Sequence, residues 1–97
     1  MKPRYANVRI KLETRRAYDE LMIDVTLLTN RLLQEYGLSY GYFPYAKQRY
    51  VDLTFCLRRK YLRRDEEAVV LAFVRGWLSG RARYQDASAT VILLEEN

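Results

Sequence analysis

Hydrophobic positions recur along this chain with two periods, and the points where one gives way to the other mark its elements. In YANVRIKL, Val8, Ile10 and Leu12 alternate with Asn7, Arg9 and Lys11. A period of two predicts a strand with one buried and one polar face. The period changes in ETRRAYDELMIDVTLLTNRLLQEYG, where Tyr18, Leu21, Met22, Val25, Leu28, Leu32 and Tyr36 follow a three-four spacing. That spacing predicts a helix with one apolar face, and Gly37 is placed to end it at positive φ. Leu27 and Leu33 stand off this face, which leaves room for a second apolar contact, with a partner or with an edge loop.

LSYGYFPYAKQRYVDLTFCLRR predicts two strands around a turn. Pro44 has no N–H to give a central ladder, so the first of these strands is short or lies at an edge. In the second, Val51, Leu53, Phe55 and Leu57 point one way, and Tyr50, Asp52, Thr54 and Cys56 the other. DEEAVVLAFVRGWLSG predicts a second helix, buried through Val70, Phe73, Val74, Trp77 and Leu78, with Gly80 near its end. Asp65, Glu66 and Glu67 occupy its first turn, where carboxylates complement the positive end of the helix dipole. SATVILLEE predicts a last strand, apolar on both faces. The order β-α-β-β-α-β with right-handed crossovers implies an α+β fold, a ferredoxin-like (RNA-recognition-like) sandwich. In it an antiparallel sheet carries two helices on one face, in a single domain over residues 1–97. The other face would be open and would display Asn7, Arg9, Lys11, Tyr50, Asp52 and Thr54.

Charge adds a function class to this outline. The formal net charge is +5, with 17 basic residues, 13 of them arginine, against 12 acidic ones, and nine tyrosines accompany them. Arginine presents a planar fork of donors that matches phosphate oxygens and stacks on bases, so the balance points toward nucleic acid. The same composition also suits ion-pair networks at high temperature. CLRRKYLRRDEE concentrates the effect: Arg58, Arg59, Lys60, Arg63 and Arg64 precede Asp65 and the acids of the second helix. Cations crowded before the positive end of a helix dipole are unfavourable unless counter-charge arrives, and a phosphate backbone can supply it.

Several chemistries drop out. There is one cysteine, Cys56, and no histidine, so intramolecular disulfides, the usual zinc sites, Ser-His-Asp triads and Cys-His pairs are excluded. The glycines form no phosphate-cradling loop, and the acids form no paired-carboxylate cluster. The chain is therefore expected to have no intrinsic enzymatic activity and to bind no cofactor itself. The opening MKPRYANVRI carries no signal-peptide core and no run reaches the length of a membrane span, so a cytoplasmic protein is expected. KQRYVDLTF lacks the glycine and paired aromatics of a standard RNA-recognition central strand, so base stacking of that standard kind is not expected. The tyrosines of YGLSYGYFPY suit a core, a protein interface or a stacking platform.

KPRY before the first strand, LLQEYGLSYGYFPY after the first helix, and TFCLRRKYLRRDEEAVVLAFVRGWLSGRARYQ resemble, in order and spacing, the archaeal and eukaryotic ribonuclease P protein component 2 family. The resemblance spans about residues 3 to 94. It implies a non-catalytic subunit that assists a catalytic RNA, with Mg used by that RNA, in removing the 5′ leader of precursor tRNA. It implies as partners the ribonuclease P RNA, precursor tRNA and ribonuclease P protein component 3, together with self-association. On this resemblance Arg58, Arg59, Lys60, Arg63 and Arg64 are the leading RNA contacts, and Arg4, Arg9, Lys11, Arg81 and Arg83 form a second tier. Leu27, Leu33, Tyr42 and Tyr45 are the candidates for protein contact. The competing expectation is a small basic ferredoxin-like module of an archaeal virus or plasmid that binds DNA or another protein.

Overall fold

A computed structural model describes residues 4–37, 40–57 and 66–95. The elements run β1 (Arg4–Lys11), α1 (Arg15–Tyr36), β2 (Tyr40–Tyr45), β3 (Tyr50–Leu57), α2 (Glu66–Ser79), a single 3-10 turn (Ala82–Tyr84) and β4 (Ser88–Glu95). The strands form one antiparallel sheet in the order β2-β3-β1-β4. This is the ferredoxin-like arrangement expected from the element order, with β1 and β3 central and β2 and β4 at the edges. Pro44 lies in edge strand β2, opposite Val51, where its missing donor costs the ladder nothing.

Helix α1 forms where its sequence places start and stop signals. Thr14 caps α1: its Oγ1 accepts from the Ala17 N–H at 3.1 Å, satisfying a donor the first turn leaves free. Gly37 ends the helix in the left-handed region at φ 64, its N–H donating to the Leu33 carbonyl at 2.7 Å. Between these ends Tyr18, Leu21, Val25, Leu28 and Leu32 are buried, and Met22 and Tyr36 pack at the margin. In α2 the buried positions are Val70, Val74, Trp77 and Leu78, with Phe73 partly covered.

Both helices bury these faces with Val8 and Ile10 of β1, Val51, Leu53 and Phe55 of β3, and Ala89 of β4. One core therefore lies between the sheet and a two-helix layer. Burying a side chain of this kind contributes about 1.5–3 kcal/mol against leaving it in water. Thr29 sits in this core because its hydroxyl donates back to the carbonyls of Val25 and Thr26, at 3.0 and 3.1 Å. Tyr84 joins the core from the 3-10 turn, stacked on Trp77 at 5.6 Å, and its hydroxyl donates to Asp24 Oδ2 at 2.6 Å. Burial, with this bond to a carboxylate, pushes the Tyr84 pKa well above its ordinary value. No helix among the described residues is long and apolar enough to cross a membrane.

Candidate nucleic-acid interface

Strand register decides what the open face of the sheet presents. Directly paired residues share a face, so the pairings define rows across the sheet. One row runs Tyr45, Tyr50, Lys11, Ser88 from β2 to β4, and the next runs Phe43, Asp52, Arg9, Thr90. A third runs Gly41, Thr54, Asn7, Ile92. The six open-face residues expected from β1 and β3 are all in these rows. Edge strand β2 adds Phe43 and Tyr45, which are 53% and 42% exposed.

At the centre Arg9 and Asp52 form a bidentate pair, Nε to Oδ1 at 2.8 Å and Nη2 to Oδ2 at 3.0 Å. Asp52 is only 6% exposed, and burial of its carboxylate is tolerated because both oxygens are engaged. Hydrogen bonding to Asp52 raises the Arg9 pKa above its ordinary value, with the carboxylate's charge adding to it. The guanidinium then lies 3.9 Å above the Tyr50 ring, while Tyr45 packs on Tyr50 at 4.8 Å. Asn7 is also nearly buried, its Oδ1 accepting from Thr54 Oγ1 at 3.1 Å. Contact between strands thus closes the centre of this face. Its β2 side, by contrast, exposes aromatic rings beside a cation.

The adjoining end of the sheet gathers further cations. The four residues 46–49 join β2 to β3 in a turn closed by the Arg49 N–H donating to the Ala46 carbonyl at 3.2 Å. Arg49 takes the left-handed conformation at φ 57. Its N–H and carbonyl are thereby divided between the turn and the residue that follows β1, the carbonyl accepting from the Leu12 N–H at 2.9 Å. Arg15 reaches the same turn, its Nη1 donating to the Ala46 carbonyl at 3.5 Å. Lys11, in the row with Tyr45 and Tyr50, thus lies at the end of the sheet where the turn carries Lys47 and Arg49 and where Arg15 reaches across. Among the described residues, Arg15 alone of these four has a carboxylate partner, Asp19 at 3.2 Å. Such an exposed pair is worth ~0–1 kcal/mol and gives way easily to another anion.

The other expected contacts are distributed over the molecule. Arg83 pairs with Asp24 at 3.3 Å, and Arg81 lies 3.9 Å over the Trp77 ring, both on the side of the 3-10 turn. Arg4 starts β1, but its side chain lies outside the described residues. So do Arg58, Arg59, Lys60, Arg63 and Arg64. Leu27 and Leu33 are exposed on α1, whereas Tyr45 is on the open sheet face. Tyr42 faces the helix side in register but stays exposed at the sheet edge. These four are consequently spread over both layers. Sequence reasoning passed over Phe43, Lys47 and Arg49. The available signal was the hairpin YAKQRY: a four-residue turn between two tyrosines sets them opposite each other and brings every second β2 residue to the open face. Among the described residues, no group of three or more His, Cys, Asp or Glu could hold a metal ion.

Fold and surface define a small α+β protein of ferredoxin-like topology whose open sheet face combines exposed aromatic rings with cations. No protein-family model, no curated protein and no solved structure matches this chain.

Proposed function

We propose that this chain is a non-catalytic RNA-binding protein that acts as an accessory subunit of a ribonucleoprotein of the ribonuclease P kind, working on precursor tRNA. The observation that carries the reading is the open-face row Tyr45–Tyr50–Lys11, with Phe43 beside it and Lys47 and Arg49 at its rim. Exposed rings accept unpaired bases by stacking, worth about 1–3 kcal/mol per base, and flanking cations accept phosphates. The standard module stacks bases on its two central strands. Here the Arg9–Asp52 pair occupies that centre, and the rings available to RNA come from the edge strand. The block Arg58, Arg59, Lys60, Arg63 and Arg64 enters the reading from its sequence, as a second set of phosphate contacts. The ribonuclease P assignment rests on the sequence resemblance. With it come component 3 as a protein partner, self-association, and Mg held by the RNA.

The test has two parts. Affinity for unpaired RNA is measured across a salt series, and a steep fall with rising salt is expected. The protein is then combined with a ribonuclease P RNA and component 3 at limiting Mg, and removal of the precursor tRNA leader is assayed. Stimulation supports the assignment. RNA binding without stimulation, in the presence of a component 3 that binds, removes ribonuclease P and leaves a general RNA-binding protein.

A second reading, a protein-interaction module, is favoured by α1, where Ile23 is 79% and Leu27 59% exposed. Protein co-purifying in place of RNA would select it.

A further inference from the structure

The helical layer carries a second cationic surface, on the side of the sheet away from the rows described above. Arg31, Ala72, Phe73, Gly76, Trp77 and Arg81 line a groove of about 360 Å³ between α1 and α2, and none of them is acidic. Arg81 lies flat against its floor, 3.9 Å over the Trp77 ring, with Nη1 donating to the Trp77 carbonyl at 3.0 Å. Trp77 in turn stacks on Tyr84 at 5.6 Å with the planes 19° apart. That column fixes the guanidinium in place, and among the described residues no carboxylate pairs with it. On the other wall Arg31 approaches the Phe73 ring at 6.0 Å, and its partner Glu35 is 3.9 Å away on open surface. An exposed pair at that distance is readily exchanged for another anion.

Gly76 bears on the same groove. Glycine in a helix interior weakens the helix relative to alanine, and a Cβ at Gly76 would meet nothing within 4 Å. The chain's own packing therefore does not require a bare backbone there. An external body pressed against α2 would, and the arginines on either side select an anionic one.

We propose that this groove holds the phosphodiester backbone of a second RNA segment, so that one molecule bridges two strands, one on each layer. The inference rests on the reading of the open sheet face as an RNA surface. It is tested by capturing the protein on an immobilised oligouridylate, washing, and adding a labelled oligouridylate. The wild-type protein is expected to retain the second strand in near-equimolar amount. Gly76→Glu introduces a carboxylate while leaving both arginines in place, and Arg31→Ala/Arg81→Ala removes both cations. Each variant should still be captured through the open face but should recruit about tenfold less second strand at 0.15 M salt, the effect of two phosphates left without a cation. Undiminished recruitment by Gly76→Glu overturns the groove and leaves the open face standing. Captured wild-type protein that takes up no second strand also overturns it. Failure of the wild type to be captured at all removes both readings.

Discussion

Substituting Asp52 by Asn should move stability and RNA affinity in opposite directions. The Asp52 side chain is 9% exposed and its carboxylate accepts two Arg9 hydrogen bonds, at 2.8 and 3.0 Å. Hydrogen bonds to charged groups contribute about 1.5–3 kcal/mol when well shielded. The Arg9 side chain, however, is 38% exposed, so the guanidinium recovers water once released, and asparagine keeps one acceptor. Discounted for that solvent access, the loss is about 1–2 kcal/mol. For a chain of this length it lowers Tm by roughly 4–16 °C. On the RNA side the substitution removes a negative charge from the middle of the face and frees Arg9 for a phosphate. One added phosphate steepens the slope of log K against log salt by about 0.7 for single strands, which is about fourfold in affinity at 0.15 M salt. Thermal unfolding by circular dichroism and fluorescence anisotropy with a labelled single strand check the two halves. A destabilised variant whose salt slope equals that of the wild type would refute the placement of Arg9 beside bound phosphate. An unchanged Tm would refute the value assigned to the pair.

Replacing Phe43 or Tyr45 by Ala should weaken single-strand binding by about 1–3 kcal/mol each, with a smaller effect on duplex, as anisotropy titrations of both RNA forms would report. Replacing Arg58, Arg59 and Lys60 together by Ala should flatten the salt slope by about 0.7 for each phosphate no longer neutralised, and an unaltered slope would withdraw that block from the interface. Tyr84 gives an alkaline signature. Its native pKa is raised by burial and by Asp24, so its contribution is complete below the unfolded value of about 10 and declines as pH rises from there through the native value. Tyr84→Phe should lose about 1.5–3 kcal/mol at neutral pH and flatten the alkaline decline seen in urea unfolding. Gly37→Ala, which places a Cβ at φ 64, should cost about 1–2 kcal/mol in the same assay.

Period alone indicated the helix faces and inner strand positions, because burial in this fold follows the alternation of apolar residues. Phe55, Val74 and Leu28 lie where spacing put them. What period could not indicate were polar residues whose burial depends on a distant partner. Asp52 is buried with both carboxylate oxygens held by Arg9 from the neighbouring strand, and Asn7 with its Oδ1 held by Thr54. Tyr84 was hidden for another reason. It occurs in RARYQD, a segment without periodicity, and is carried inward by a single 3-10 turn that stacks it on Trp77. The open face was half visible. Its β1 and β3 residues follow from alternation, whereas Phe43 and Tyr45 join it only once the turn at 46–49 fixes the register of β2. The arginine block of residues 58–64, the most conspicuous charge feature of the chain, lies outside the described residues, so its part in the interface rests on charge.

The central claim, that RNA lies on the aromatic and cationic side of the open sheet, is tested most directly by titrating an unpaired oligonucleotide into isotope-labelled protein and mapping the perturbed amide resonances. The account predicts saturable shifts concentrated at Lys11, Phe43, Tyr45, Lys47 and Tyr50. Binding that leaves these five unmoved would contradict it.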